Sequence, residues 1–177
     1  MQYTFTPITT DRLTLLPSSL EVEKAVLSNR TKLKQILQLN IPDTWPGNDW
    51  INALHSLIEL YEEHPEWCNW NRNIVCNCDK TLIGGIGCIF PPQKDGSVTI
   101  GYYIVPDYRR KGYALEAANG YIDWLKQQPS IKTIKAECLV DNIASIHILE
   151  QIGMINIEQF RDEEGEKLRW ELSRILS

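Results

Sequence analysis

The spacing of apolar residues changes period along the chain, and the changes predict its elements. Arg12 to Leu16 alternates polar and apolar positions, the period of a half-buried strand. Ser18-Ser19-Leu20-Glu21 matches a capping box and predicts a helix start, and Thr31 to Leu39 repeats at helical spacing. Two prolines and a glycine around Trp45 make Ile41 to Asn48 a loop. Asp49 is placed to cap a further helix reaching Glu63, with Ile51, Leu54, Ile58 and Tyr61 on one face. From Trp67 the pattern becomes strand-like. Asn73 to Cys78, Thr81 to Phe90 and Ser97 to Val105 are rich in β-branched and aromatic residues, and the turn pairs Asp79-Lys80 and Asp95-Gly96 separate them, so an antiparallel meander is expected. Helical period returns with Leu115, Ala118, Ile122 and Leu125 and stops before Pro129. Ile131 to Leu139 then reads as a strand and Asn142 to Ile152 as a helix closed by Gly153. Met154 to Phe160 and Lys167 to Leu172 read as two final strands.

Composition adds bounds to this order. The 177 residues carry no repeat, low-complexity tract or linker, so one domain over 1–177 is expected, with about two-thirds of the unfolded surface buried. A net charge of −5 argues against nucleic acid or an anionic membrane as partner and slightly favours a cationic one. The start has no basic segment followed by an apolar core, and no stretch approaches a membrane span, so a cytoplasmic location is expected. The five cysteines are odd in number and mostly lie in strand-like runs, which suits reduced, buried thiols. Cys76-Asn77-Cys78 has no CxxC companion and the three histidines are scattered, so no metal is expected.

The densest positive run is Arg109, Arg110 and Lys111, followed by Gly112, Tyr113 and Ala114. A strand that feeds a basic, glycine-containing loop and then a helix presents free backbone N–H groups at the positive end of the helix dipole, where phosphate can sit. The same residues can also be plain solvated surface. Gly84-Gly85-Ile86-Gly87 is a different matter: it lacks the third glycine of a dinucleotide loop and the lysine of a P-loop, and fits a closely packed strand.

Tyr102 to Ala114, with the loop Arg109-Arg110-Lys111-Gly112-Tyr113-Ala114, resembles the acetyl-CoA signature of the GNAT superfamily of N-acetyltransferases, Gln/Arg-x-x-Gly-x-Gly/Ala. The continuation to Ala117 resembles the branch that includes ribosomal-protein N-terminal acetyltransferases. Asn142-Ile143-Ala144-Ser145 followed by Leu149-Glu150-Gln151-Ile152-Gly153-Met154 is similar to a second motif of that family, and Thr10-Asp11-Arg12-Leu13 to that branch's first strand. The resemblance implies an α/β (α+β) fold: a mixed, mostly antiparallel sheet of about seven strands, splayed near the fourth and flanked by about four to five helices. It implies acetyl-CoA as co-substrate, with backbone groups of Tyr103 and Ile104 and the side chain of Asn142 on the pantetheine, and residues 109 to 114 on the pyrophosphate. Asn142 is equally a helix cap, and the two roles are compatible.

The implied reaction is direct transfer of acetyl to a primary amine in a ternary complex, by a monomer or homodimer. The family's proton-donating tyrosine falls on Leu149 and a frequent strand carboxylate on Thr99. Ser145 is then the candidate proton donor to the thiolate, alternatively a first-turn helix serine bonding the backbone. Glu137 and Glu116 are the candidate bases, with surface ion pairing as the alternative for each. Tyr103 and Trp45 can line the acceptor side or belong to the core. Two other readings stand beside this one: an idle acyl-CoA-binding sensor, and an interaction module built on the six tryptophans.

Overall fold

The computed structural model describes residues 6–173, less the side chains at positions 48, 49 and 53. In chain order it forms β1 (Ile8–Thr9), β2 (Leu13–Pro17), α1 (Leu20–Ser28), α2 (Arg30–Leu37), α3 (Asn48–Glu63), β3 (Asn71–Cys76), β4 (Thr81–Cys88) and β5 (Ser97–Ile104). There follow α4 (Tyr113–Lys126), β6 (Thr133–Leu139), α5 (Ile143–Gln151), β7 (Ile155–Asp162) and β8 (Gly165–Ser173), with 3-10 turns at Pro65–Trp70 and Pro106–Tyr108. The strands make one eight-stranded sheet in the order β1-β2-β3-β4-β5-β6-β8-β7. Every neighbouring pair is antiparallel except β5 beside β6. The strand beyond the seven expected is β1, two residues paired with Thr14 and Leu15 and too short to show a period in the sequence.

The parallel pair organises the sheet. Parallel neighbours need a crossover, which α4 supplies by packing on β4 and β5 with Ala117, Ala118, Tyr121, Ile122 and Leu125 buried. Leu115, placed on that stripe by its spacing, is only partly buried, and Tyr121 takes its share of the face. Pairing of β5 with β6 runs from Ser97↔Thr133 to Ile100↔Ala136 and stops, although the strands continue to Ile104 and Leu139. The two strands therefore diverge beyond Ile100, which is the splay that the family resemblance implies.

β4 shows why its glycines are there. A β-carbon on Gly87 would lie 2.0 Å from Asn71 Oδ1, and one on Gly84 2.1 Å from the Tyr103 carbonyl oxygen. The run is a packed strand, with no nucleotide loop in it.

Local capping departs from the expected register in two places. Ser19, one residue later than the expected capping box, is the N-cap of α1 and accepts from Val22 N at 3.3 Å. Ser18 instead donates its hydroxyl to Glu23, a carboxylate only 1% exposed that also accepts from Trp50 Nε1 at 3.3 Å. Helix α3 begins at Asn48 behind Gly47, so Asp49 lies inside the helix; its side chain falls outside the described residues. On that helix Leu54 and Tyr61 are buried while Ile51 is 40% exposed.

A buried polar seam ties the helical first third to the sheet. Asn73 Nδ2 donates to Ser18 Oγ at 3.3 Å and Asn71 Nδ2 to Tyr61 Oη at 2.8 Å. Such groups, hidden from water, cost about 1–3 kcal/mol each when unpaired, so the seam fixes how α1 and α3 lie over β3.

Candidate functional site

The Pro106–Tyr108 turn leads from the open end of β5 into the basic loop. Arg110 and Gly112 both take left-handed backbone angles, φ 59° and 81°, the conformation from which anion-holding backbone nests are built. Gly112 is the N-cap of α4 and has no side chain to satisfy the first-turn amides. A β-carbon there would stand 3.3 Å from Arg12 Nη2 and intrude on this space. The three cations divide the work. Arg109 Nε donates to the Ile104 carbonyl at 2.7 Å, and Lys111 Nζ donates to the Asp107 carbonyl at 2.9 Å, so both brace the loop. Arg110 makes no ion pair among the described residues and is exposed.

Struts from distant parts of the chain hold this loop. Arg12 donates to the Lys111 carbonyl at 3.0 Å, and its guanidinium carbon lies 4.6 Å from the centre of the Tyr113 ring. Glu116 receives Arg12 Nε at 2.6 Å, Arg12 N at 2.7 Å and Thr10 Oγ1 at 2.6 Å. These bonds hold its carboxyl below the usual range despite partial burial. Both carboxylate oxygens are thus committed, and Glu116 clips the β1–β2 turn to α4 through the ion pair that was its alternative reading. A groove of about 1000 Å³ runs from Gly112 along α4 to Trp124, but its carboxylates, Asp11, Glu116 and Asp123, disfavour phosphate.

At the gap, alternation along β5 sends Tyr102 to the side covered by α4 and α5 and Tyr103 to the side covered by α1 and α3. Asn142 caps α5, accepting from Ser145 N at 3.1 Å, as its sequence position predicts. The Ser145 hydroxyl stands beside the Tyr102 hydroxyl, which is buried without a well-formed hydrogen bond. Burial pushes the Tyr102 phenol up to about 12, so it keeps its proton at neutral pH. Leu149, the position of the family tyrosine, is 1% exposed and belongs to the core.

On the opposite face the Tyr103 hydroxyl is also buried without a well-formed bond. Its pKa lies far above the ordinary tyrosine value, mainly through burial and also through the nearby Glu23 carboxylate. Trp50 lies 6.0 Å from its ring, and Trp45 is 1% exposed, a core residue. Further along this face a cleft of about 500 Å³ is lined by Phe90, Gln93, Thr99, Lys135, Glu137 and Arg169. Glu137 sits where β5 and β6 part and accepts from Arg169 Nε at 2.9 Å, while Arg169 also pairs with Glu158.

Sequence reasoning missed Tyr102 and Glu23. Only the pairing register assigns Tyr102 to the α5 side, whereas Glu23 leaves one sequence signal, a charged residue between the apolar positions Val22 and Ala25 of α1. Four cysteines are buried as expected, and Cys78 is exposed. Cys76, Cys78 and Asp79 bring ligand-type atoms within 4.8 Å of one another, three groups where a structural zinc takes four. Among the described residues no helix is long and apolar enough to cross a membrane.

Comparison with known proteins accords with this geometry. The Acetyltransferase (GNAT) domain model matches residues 12–155. The uncharacterized N-acetyltransferase YjdG of Bacillus subtilis is 30% identical over 112 residues, 63% of this chain and 67% of that protein. A second relative from Bacillus subtilis, the uncharacterized N-acetyltransferase YnaD, is 36% identical over 81 residues, 46% of this chain and 47% of its own length. Among solved structures, a GNAT acetyltransferase from Bacillus anthracis superposes with a TM-score of 0.65 at 17% identity, over 95% of this chain and 98% of the other. RimL, a ribosomal-protein alpha-N-acetyltransferase solved with coenzyme A, gives 0.68 at 14% over 95% and 98%. A loop of free amides beside a splayed parallel pair, found within a matching family model, places the chain in the GNAT family as an acetyl-CoA-dependent acyltransferase.

Proposed function

We propose that this protein, as one domain over 1–177, moves the acetyl group of acetyl-CoA directly to a primary amine while both are bound. The observation that carries the reading is the conjunction of the uncapped, left-handed loop at Arg110–Gly112 with the gap that opens beyond Ile100. In this reading the amides of residues 110 to 114, with Arg110, hold the pyrophosphate, and Arg109 and Lys111 keep the loop in shape. The free edge of β5 at Tyr103 and Ile104 and the Asn142 amide nitrogen bind the pantetheine. The Ile104 carbonyl is already taken by Arg109, which leaves the neighbouring backbone groups for that task.

The chain's own groups divide the proton work. Tyr102 and Ser145, on the α5 side, give a proton to the departing thiolate; a buried phenol at about 12 retains its proton until a strong base forms beside it. The amine enters from the opposite face through the Thr99–Glu137 cleft. An alkyl ammonium with a pKa near 10.4 must shed a proton before attack; Glu137 draws it into the cleft, and solvent takes the proton. Alignment of two bound reactants supplies up to about 7–11 kcal/mol, so few side chains need act chemically. The solved relatives support the donor: RimL is a complex with coenzyme A, and the immunity acetyltransferase MccE is a complex with acetyl-CoA and AMP.

The test is release of free thiol from acetyl-CoA against a panel of peptide N-termini, polyamines, aminoglycosides and small amines, with mass analysis of products. Tight coenzyme A binding with no acetylated amine would support the idle-sensor reading instead. With an amine that is turned over, Tyr102→Phe is expected to lower kcat about 30-fold, less than the 100-fold or more of a solitary acid, because Ser145 remains. An unchanged kcat removes Tyr102 from the chemistry. Glu137→Gln is expected to raise KM for the amine about tenfold with kcat changed by less than about threefold, the signature of lost attraction. A fall in kcat at constant KM would instead make Glu137 the principal base.

A further inference from the structure

The turn between β3 and β4 lies beneath the basic loop and touches it at both ends. Asp79, in this turn, accepts the hydroxyl of Tyr108, which belongs to the 3-10 turn just before Arg109. Cys76, the last residue of β3, donates its thiol to the Tyr113 hydroxyl at 3.6 Å, and Tyr113 opens α4 just after Gly112. The Tyr108 and Tyr113 rings are 6.2 Å apart, so the two contacts bracket residues 109 to 112.

The same turn carries a pair of thiols. Cys76 Sγ and Cys78 Sγ are 3.0 Å apart, about 1 Å more than the S–S bond of a disulfide. Cys76 is buried and Cys78 exposed, so one sulfur can be reached from solvent and the other stands next to it to resolve whatever forms there. This arrangement has no part in acetyl transfer.

We infer that Cys76 and Cys78 form a reversible dithiol–disulfide pair whose closure weakens the grip of the basic loop on coenzyme A. With a small-molecule disulfide such as oxidised glutathione as oxidant, the Cys78 thiolate attacks one sulfur and expels a glutathione thiolate. Cys76, losing its proton to solvent, then attacks the Cys78 sulfur of the mixed disulfide and expels the second. Two protein thiols become one disulfide, and one glutathione disulfide becomes two glutathione thiols. Closure removes the S–H that Cys76 offers to Tyr113 and contracts the 76–79 turn against Asp79, so both supports of the loop change together. The Cys78 thiol, donating its S–H to the Cys76 sulfur, is pushed up by that bond, which makes the first step slow near neutrality and faster in alkali.

This inference rests on the reading of the loop as the coenzyme A cradle, and the experiment separates the two. Full-length protein, reduced and freed of reductant, is treated with oxidised glutathione at pH 8. Alkylation and peptide mass analysis read the state of residues 76 and 78, and calorimetry reads coenzyme A affinity. The expected result is a Cys76–Cys78 disulfide that dithiothreitol reverses, formed faster at pH 9 than at pH 7, with the Kd for coenzyme A raised about tenfold. Cys78→Ser should bind coenzyme A like the reduced wild type and ignore the oxidant. Two free thiols after prolonged treatment, glutathione left standing on Cys78, or a closed disulfide with unchanged affinity each overturn the proposal. Reduced protein that binds no coenzyme A overturns the cradle and the coupling with it, while the mass readout judges the dithiol chemistry independently.

Discussion

Gly112→Glu is expected to raise the Kd for coenzyme A about 1000-fold, measured by calorimetry on protein whose melting temperature is followed in parallel. Gly112 holds φ 81°, a conformation that costs a residue with a β-carbon roughly 1–2 kcal/mol, and this part of the penalty appears as lost stability with or without ligand. The affinity loss has another origin. The new side chain projects over the amides of the α4 first turn and brings a negative charge to the place proposed for the pyrophosphate. Hydrogen bonds to a charged group contribute about 1.5–3 kcal/mol each, and two lost bonds correspond to roughly three decades in Kd. The charge contribution is isolated by Gly112→Gln, which keeps the bulk and should recover about tenfold of the affinity. Equal affinities of wild type and Gly112→Glu would refute the cradle.

The second large effect concerns Glu23 and is one of stability. Burial raises its carboxyl from 4.5 to about 7, against the hydrogen bonds of Ser18 and Trp50, which act to lower it. The folded state therefore holds this proton more tightly than the unfolded chain does. Its contribution to stability is fully present below pH 4.5 and is lost as pH rises through about 7. At about 1.36 kcal/mol per pH unit the folded protein gives up about 3 kcal/mol between those limits. Glu23→Gln carries no such titration and can still accept from Trp50. It should melt about 6–10 °C above wild type at pH 8 and within about 2 °C of it at pH 4.5. A constant difference across that range would show that Glu23 does not titrate in the folded protein. Tyr103 and Tyr61 both feel the Glu23 charge, so their absorbance offers a second readout of the same ionisation.

Why some of this was legible and some was not follows from where each feature is encoded. The loop at residues 109 to 114 could be read because strand, cations, glycine and helix are consecutive and interact locally. Asn142 was legible for the same reason: a cap needs only the next three residues. The sequence left Glu116 open between base and ion pair because its partners, Thr10 and Arg12, lie more than a hundred positions away. Tyr102 and Tyr103 are adjacent, similar and interchangeable in any local pattern. Only the pairing of β5 with Gly85 and Ile86 on one side, and its release from β6 on the other, decides which of them meets Ser145. The capping box failed by one residue because Ser18 and Ser19 offer two equivalent registers, and the buried Glu23 claims Ser18. Strand ends shifted by one or two residues in both directions: β2 runs on to Pro17, whereas β3 and β4 stop at Cys76 and Cys88, short of the expected Cys78 and Phe90.

The four rungs between β5 and β6 are the whole of the sheet's continuity between β1–β5 and β6–β8. Beyond them the facing edges carry peptide groups that the fold itself leaves without a ladder partner. Any donor that lies in the gap and bonds to both edges becomes, in effect, a removable ninth strand. The stiffness of the molecule then tracks the supply of that donor: amides at the ends of β5 and β6 should exchange with solvent quickly when it is scarce and slowly when it is abundant. Resistance to proteolysis across the gap should rise with the same supply.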